Sequence, residues 1–149
     1  MTGISDIEAP EAPPHTTMET GFTVFLRIVA VFSLLAGLKY WVALIGVFDY
    51  RPWRFDLMPL HWQLAATSLA VLFPVAATGL WLPVSWGPVM WVAAAGIEAV
   101  MYAGFPMLFG REAVIPLAHL VVALIYIVFR VLLHRQRKRR NETVSLDSP

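Results

Sequence analysis

Long apolar runs dominate the chain, and the polar residues gather into short clusters between them. A spanning helix needs about 20 mostly apolar residues to bridge about 30 Å of hydrocarbon. Four stretches qualify: 22–48, 61–83, 86–108 and 113–133. The first exceeds a single crossing and is expected to tilt or project. Pro83-Val84-Ser85-Trp86-Gly87-Pro88 allows only a tight turn before the third stretch, and Gly110-Arg111-Glu112 an equally short link before the fourth. Tight links make sequence neighbours antiparallel neighbours in space. The pattern predicts an all-α protein, a four-transmembrane-helix antiparallel bundle over 21–133. Disordered tails are expected on both sides of it, an acidic one over 1–20 and a basic cytoplasmic one over 134–149.

Composition supports the bilayer as solvent. The 149 residues are 58% hydrophobic and 14% charged, where a soluble domain carries about 25% charged residues. The net charge of +1 conceals a segregation. Asp6, Glu8, Glu11 and Glu19 occupy the first segment without a Lys or Arg, whereas Arg135, Arg137, Lys138, Arg139 and Arg140 follow the last apolar run. That basic cluster outweighs Arg51, Arg54 and Arg111 in the loops, so the positive-inside rule puts both termini in the cytoplasm. The first apolar run is too long for the h-region of a cleavable signal peptide, and no basic n-region precedes it. The chain has no cysteine, which removes disulfide and thiolate chemistry.

Three apolar stretches contain an ionisable residue: Lys39, Glu98 and His119. Charges at that depth are costly and mark function by default. At 1.5 Å per residue, Lys39 and His119 both lie roughly 6 Å to the outer side of the midplane, and Glu98 lies near the midplane. Lys39 shares a helical face with Ala36, Ala43 and Gly46; Glu98 with Ala94, Ala95 and Tyr102; His119 with Ala123, Tyr126 and Arg130. In the second stretch Gln63, Thr67, Ala70, Pro74 and Thr78 form a small, weakly polar stripe. The expected arrangement is a polar centre in which Lys39 pairs with Glu98, with Tyr102 and His119 in reach. Such a centre suits proton relay or the binding of a small polar or anionic ligand. The competing reading is a buried ion pair that fixes helix register and does no chemistry.

The remaining polar residues have simpler explanations. Arg27 and Arg130 snorkel to the headgroups, and Arg135, Arg137, Lys138, Arg139 and Arg140 bind anionic lipid headgroups and fix topology. Their place directly after a spanning helix argues against nucleic acid. Asp49-Tyr50-Arg51-Pro52-Trp53-Arg54-Phe55-Asp56 reads as an interfacial belt. His61 and His119 sit at different levels, so a haem between them is not expected. No cofactor is expected. Within the apolar stretches no His or carboxylate lies at metal-ligand spacing from another, and no phosphate loop or nucleophile triad is present, so an enzyme is not expected.

Phe25-Leu26-Arg27-Ile28 through Leu35-Ala36-Gly37-Leu38-Lys39-Tyr40 resembles the first helix of DoxX-like membrane proteins, with Arg27, Gly37 and Lys39 at the matching positions. The second stretch departs from that family, because it lacks the Glu followed by a Gly pair. The chain as a whole resembles small uncharacterised four-helix inner-membrane proteins of alphaproteobacteria. The resemblance implies an inner-membrane protein with an accessory or scaffolding role, engaging lipid, a membrane-protein partner or a second copy of itself. The alternative is a proton-linked carrier or ligand-binding protein built on Lys39, Glu98 and His119.

Overall fold

The computed structural model describes residues 17–46 and 55–146, with side chains up to residue 139. The readings placed on the acidic tail before residue 17 and on the aromatic belt at 49–54 lie outside the described residues. Among the described residues the protein is all-helical. Helix α1 runs Thr17–Ile45, α2 Leu60–Trp81, α3 Gly87–Ala99, α4 Pro106–Phe109 and α5 Val114–Leu146. A 3-10 turn, Phe55–Leu57, precedes α2, and a π-turn, Val100–Gly104, extends α3.

Three of these helices, α1, α2 and α5, are long and apolar enough to cross a membrane. The expected third helix over 86–108 is not one piece. Backbone bonding switches to the wider π register at Val100, and the amide of Phe105 returns to Val100 O at 3.1 Å. Phe105 then leaves the helical region ahead of Pro106, because the proline ring excludes the α conformation for the residue before it. At the other end of the chain, α5 continues as a helix to Leu146, past the expected boundary at Leu133. Its 33 residues span about 50 Å, so the basic segment prolongs the helix beyond a hydrocarbon core about 30 Å thick.

Consecutive segments pack antiparallel. Leu26, Val29, Ala30, Ser33, Gly37, Tyr40 and Ala43 are buried on α1, a stripe with the three- and four-residue steps of one helical face. Opposite lies α2, whose buried face is rich in small residues: Ala65, Ala66, Ala70, Ala76, Ala77 and Gly79. Such residues let helix backbones approach in the absence of a hydrophobic driving force. The approach is closest at Gly37, where a Cβ would lie 2.6 Å from Pro74 Cδ. Pro74 has no N–H, so it leaves the carbonyl of Ala70 without its helical donor. Trp41 Nε1 of α1 supplies that donor at 2.9 Å. The turn into α3 depends on a second close approach, since a Cβ on Gly87 would lie 2.4 Å from the backbone carbon of Gly79.

The expected weakly polar stripe of α2 is only partly inward. Thr67 and Thr78 face out, and their hydroxyls donate to the carbonyls of Gln63 and Pro74, at 2.7 Å each. A hydroxyl bonded to its own helix no longer needs a partner across the bundle. Helix α5 is held most lightly. Phe129 stacks on Phe25 and tilts against Phe22, His119 reaches α3, and Leu117, Leu120, Leu124 and Ile127 lie bare.

Candidate functional site

Two apolar clusters flank a polar centre. One contains Leu69, Phe73, Met101 and Tyr102. The other contains Leu26, Ala76, Leu80 and Trp91. Between them sits the carboxylate of Glu98, only 4% exposed. The Tyr40 hydroxyl of α1 donates to its Oε1. His119 Nε2 of α5 lies 2.6 Å from its Oε2. Helices α1, α3 and α5 thus converge on one side chain. An N···O separation of 2.6 Å is that of a short hydrogen bond, so Glu98 and His119 are directly bonded.

The imidazole is fixed from both sides. Phe73 lies nearly parallel to it at 6.2 Å and Trp91 stands steeply across it at 5.8 Å. Phe73 also stacks on Tyr40, with 6.2 Å between ring centroids, so one phenyl ring packs against both partners of the carboxylate. The π-turn begins two residues after Glu98 and keeps Tyr102 on the buried side, in the same apolar cluster as Tyr40. π-turns inside helices recur where a side chain must be re-aimed at a site.

A cavity of about 390 Å³ opens beside this centre. Tyr40 and Tyr102 form part of its wall, and Lys39, Trp62, Phe109 and Glu112 also line it. Trp62 and Phe109 face each other at 5.1 Å, and Trp62 Nε1 donates to Leu108 O at 3.2 Å, which fastens the start of α2 to α4. The volume falls within the range of small-molecule pockets, about 300–1,000 Å³.

Of the expected centre, the structure joins Glu98 to His119, places Tyr102 beside Tyr40 in the cavity wall and leaves Lys39 out. The Lys39 side chain is exposed, its Nζ lies 5.5 Å from the centroid of the Tyr40 ring, and among the described residues no ion pair joins it to Glu98. Successive residues of a helix turn by about 100°. The inward stripe passes through Gly37 and Tyr40, so Lys39 points aside at the correct depth and lines the cavity instead. Tyr40 is the partner that sequence reasoning missed. Its signal was the spacing Ser33, Gly37, Tyr40: two small residues on the face that packs, with a hydroxyl next along it.

Other candidates fall elsewhere. Arg27 lies over the Trp81 ring at 5.6 Å, a cation–π contact. Arg130, Arg135, Arg137, Lys138 and Arg139 are exposed along α5, and the side chain of Arg140 lies outside the described residues. His61 stands edge-on to Phe109 at 5.1 Å, while His119 is occupied by Glu98. Among the described residues no group of three metal-ligating side chains occurs. Residues 20–137 match DUF6163, described as a family of unknown function. No curated protein and no solved structure matches.

Proposed function

The chain belongs to DUF6163, a family of unknown function, and we propose from the geometry of its polar centre that it is a four-pass inner-membrane protein that binds a small amphipathic molecule and couples this binding to a proton. One observation carries the reading: a buried carboxylate is hydrogen-bonded to the titratable His119 through one oxygen, while its other oxygen accepts from a tyrosine that also walls a cavity. A ligand group that bonds the Tyr40 or Tyr102 hydroxyl changes the donation to Oε1. The basicity of Oε2 changes with it, and so does the seat of the proton between Oε2 and Nε2. Binding and proton position are thereby linked, and the linkage is reciprocal.

The fourth crossing is assigned to the helical segment Gly87–Gly104. Its rise is about 27 Å, and it packs antiparallel to α2. Both termini then lie on one side, the cytoplasmic side by the excess of Lys and Arg after α5. The first-helix likeness to DoxX-like proteins plays no part in this reading.

Calorimetry in two buffers of different ionisation heat tests the proposal. Dodecyl amphiphiles with cationic, anionic and zwitterionic heads serve as probes. At least one binds the wild-type protein with a buffer-dependent heat, and Glu98→Gln removes that dependence. Binding by none of them, or a heat independent of buffer, overturns the proton linkage and leaves Tyr40, Glu98 and His119 as a clasp that fixes helix register.

The accessory role keeps one observation in its favour, the bare apolar side of α5. Leu117, Leu120, Leu124 and Ile127 are all more than half exposed, a surface for lipid, a partner membrane protein or a second copy. A stoichiometric partner captured in mild detergent, and lost on substituting Leu120 and Leu124 by Ser, supports that role.

A further inference from the structure

The charges around the cavity specify its occupant further. Lys39 and Glu112 both line it. Both are exposed, and among the described residues neither makes an ion pair. They come from distant parts of the sequence that meet at one end of the bundle: Lys39 from the last third of α1, Glu112 from the link that enters α5. Between them the wall is aromatic and apolar, formed by Trp62, Phe109, Ala43 and Ile115. A solely anionic head would face Glu112, and a solely cationic head would face Lys39. An occupant with both signs and an apolar body satisfies all three parts of the wall.

Depth identifies the source of that occupant. Lys39 lies six residues before the end of α1 at Ile45, about 9 Å along the axis, and Glu112 lies two residues before α5 begins. The charged mouth therefore sits near the end of the spanning segments, where headgroups meet acyl chains. Lys39 has a flexible stem that carries its ammonium to that level. Helices α1 and α5 touch through Phe22, Phe25 and Phe129 at the opposite end, and both line the cavity at this one.

We propose that the cavity holds the headgroup of a zwitterionic phospholipid of the ethanolamine class, its phosphate on Lys39, its ammonium on Glu112 and its glycerol and upper acyl chain against Trp62, Phe109 and Ile115. Tyr102 and Tyr40 lie behind the headgroup as hydroxyl partners. The inference rests on the ligand-binding reading above and names the ligand's class.

The test reconstitutes the full chain in vesicles of equal phosphatidylethanolamine and phosphatidylglycerol, extracts it in mild detergent and counts retained lipid by native mass spectrometry. Phosphatidylethanolamine remains on the wild-type protein in preference to phosphatidylglycerol. Lys39→Met and Glu112→Gln each lower its retention about fivefold, the effect of one headgroup charge contact. Both side chains are exposed, and an unchanged unfolding midpoint verifies that the variants are intact. Free phosphoethanolamine competes poorly, because it lacks the apolar body. Equal or preferred retention of phosphatidylglycerol overturns the proposal, as does wild-type retention by both variants. Competition by free phosphoethanolamine at the level of the lipid overturns the lipid source. Calorimetric binding of the anionic or cationic amphiphile alone, with a buffer-dependent heat, sinks the lipid class while leaving the proton linkage intact.

Discussion

Gly37→Ala isolates the contact on which the α1–α2 interface, and with it the position of Tyr40, depends. The new Cβ would stand 2.6 Å from Pro74 Cδ and 2.8 Å from Pro74 Cγ. Carbon atoms rest about 3.5–4.0 Å apart, and a proline ring within a helix cannot rotate away, so α1 must retreat by about 1 Å. Forced overpacking of this kind costs about 1–3 kcal/mol. A retreat of that size also stretches the Trp41–Ala70 bond, 2.9 Å long, past useful geometry, a loss of about 1 kcal/mol inside a membrane. Alanine's better helix propensity returns about 1 kcal/mol. The net effect is about 1–3 kcal/mol of lost stability, measured as the unfolding free energy in bicelles by steric trapping. Gly96→Ala is the control: a Cβ there meets nothing within 4 Å, so the helix gains stability. In a Pro74→Ala background the obstructing ring atoms are gone, and the cost of Gly37→Ala falls by more than half. If Gly37→Ala proves as stable as Gly96→Ala, or if Pro74→Ala gives no relief, the reasoning fails.

Trp41→Phe leaves the Ala70 carbonyl unpaired and costs about 1 kcal/mol; in Pro74→Ala, where an ordinary helical N–H returns, the cost vanishes in the same assay. Glu98→Ala strands His119 and Tyr40 and costs about 3 kcal/mol or more, whereas Lys39→Met changes the unfolding free energy by less than about 0.5 kcal/mol; equal losses from the two would reinstate a Lys39–Glu98 pair. With no cysteine in the chain, single introduced thiols report topology directly. Ser85→Cys and Gln136→Cys react with an impermeant maleimide from one face of the membrane and Arg111→Cys from the other; labelling of Ser85→Cys and Arg111→Cys from the same face means that α3 does not cross.

The three helices long and apolar enough to span were legible because lipid imposes composition over a whole window, a signal that survives local irregularity. The break at Phe105 had a signal in Pro106, which the hydropathy window overrode; the π-turn before it had none, since it costs one hydrogen-bond step and leaves hydropathy unchanged. Depth along a helix is a count of residues, so the common level of Glu98 and His119 could be read from the chain. Direction around the helix is less forgiving: a shift of one position separates the exposed Lys39 from the buried Tyr40. Charge drew the reading to Lys39, while packing at Gly37 decides which side chain turns inward. The pairing of Trp41 with Pro74 illustrates the other limit, because a missing N–H is visible in the chain but the residue that compensates for it belongs to another helix.

Glu98 and His119 lie 21 residues apart, and a chain emerges from synthesis N-terminal end first. Tyr40 has already been made when Glu98 emerges; His119 is still to come. The nascent protein therefore carries a half-ligated carboxylate until its last and most lightly held helix arrives. A polypeptide that stops short of Val114 lacks α5 altogether, and the Oε2 of its Glu98 then has no His119 to pair with.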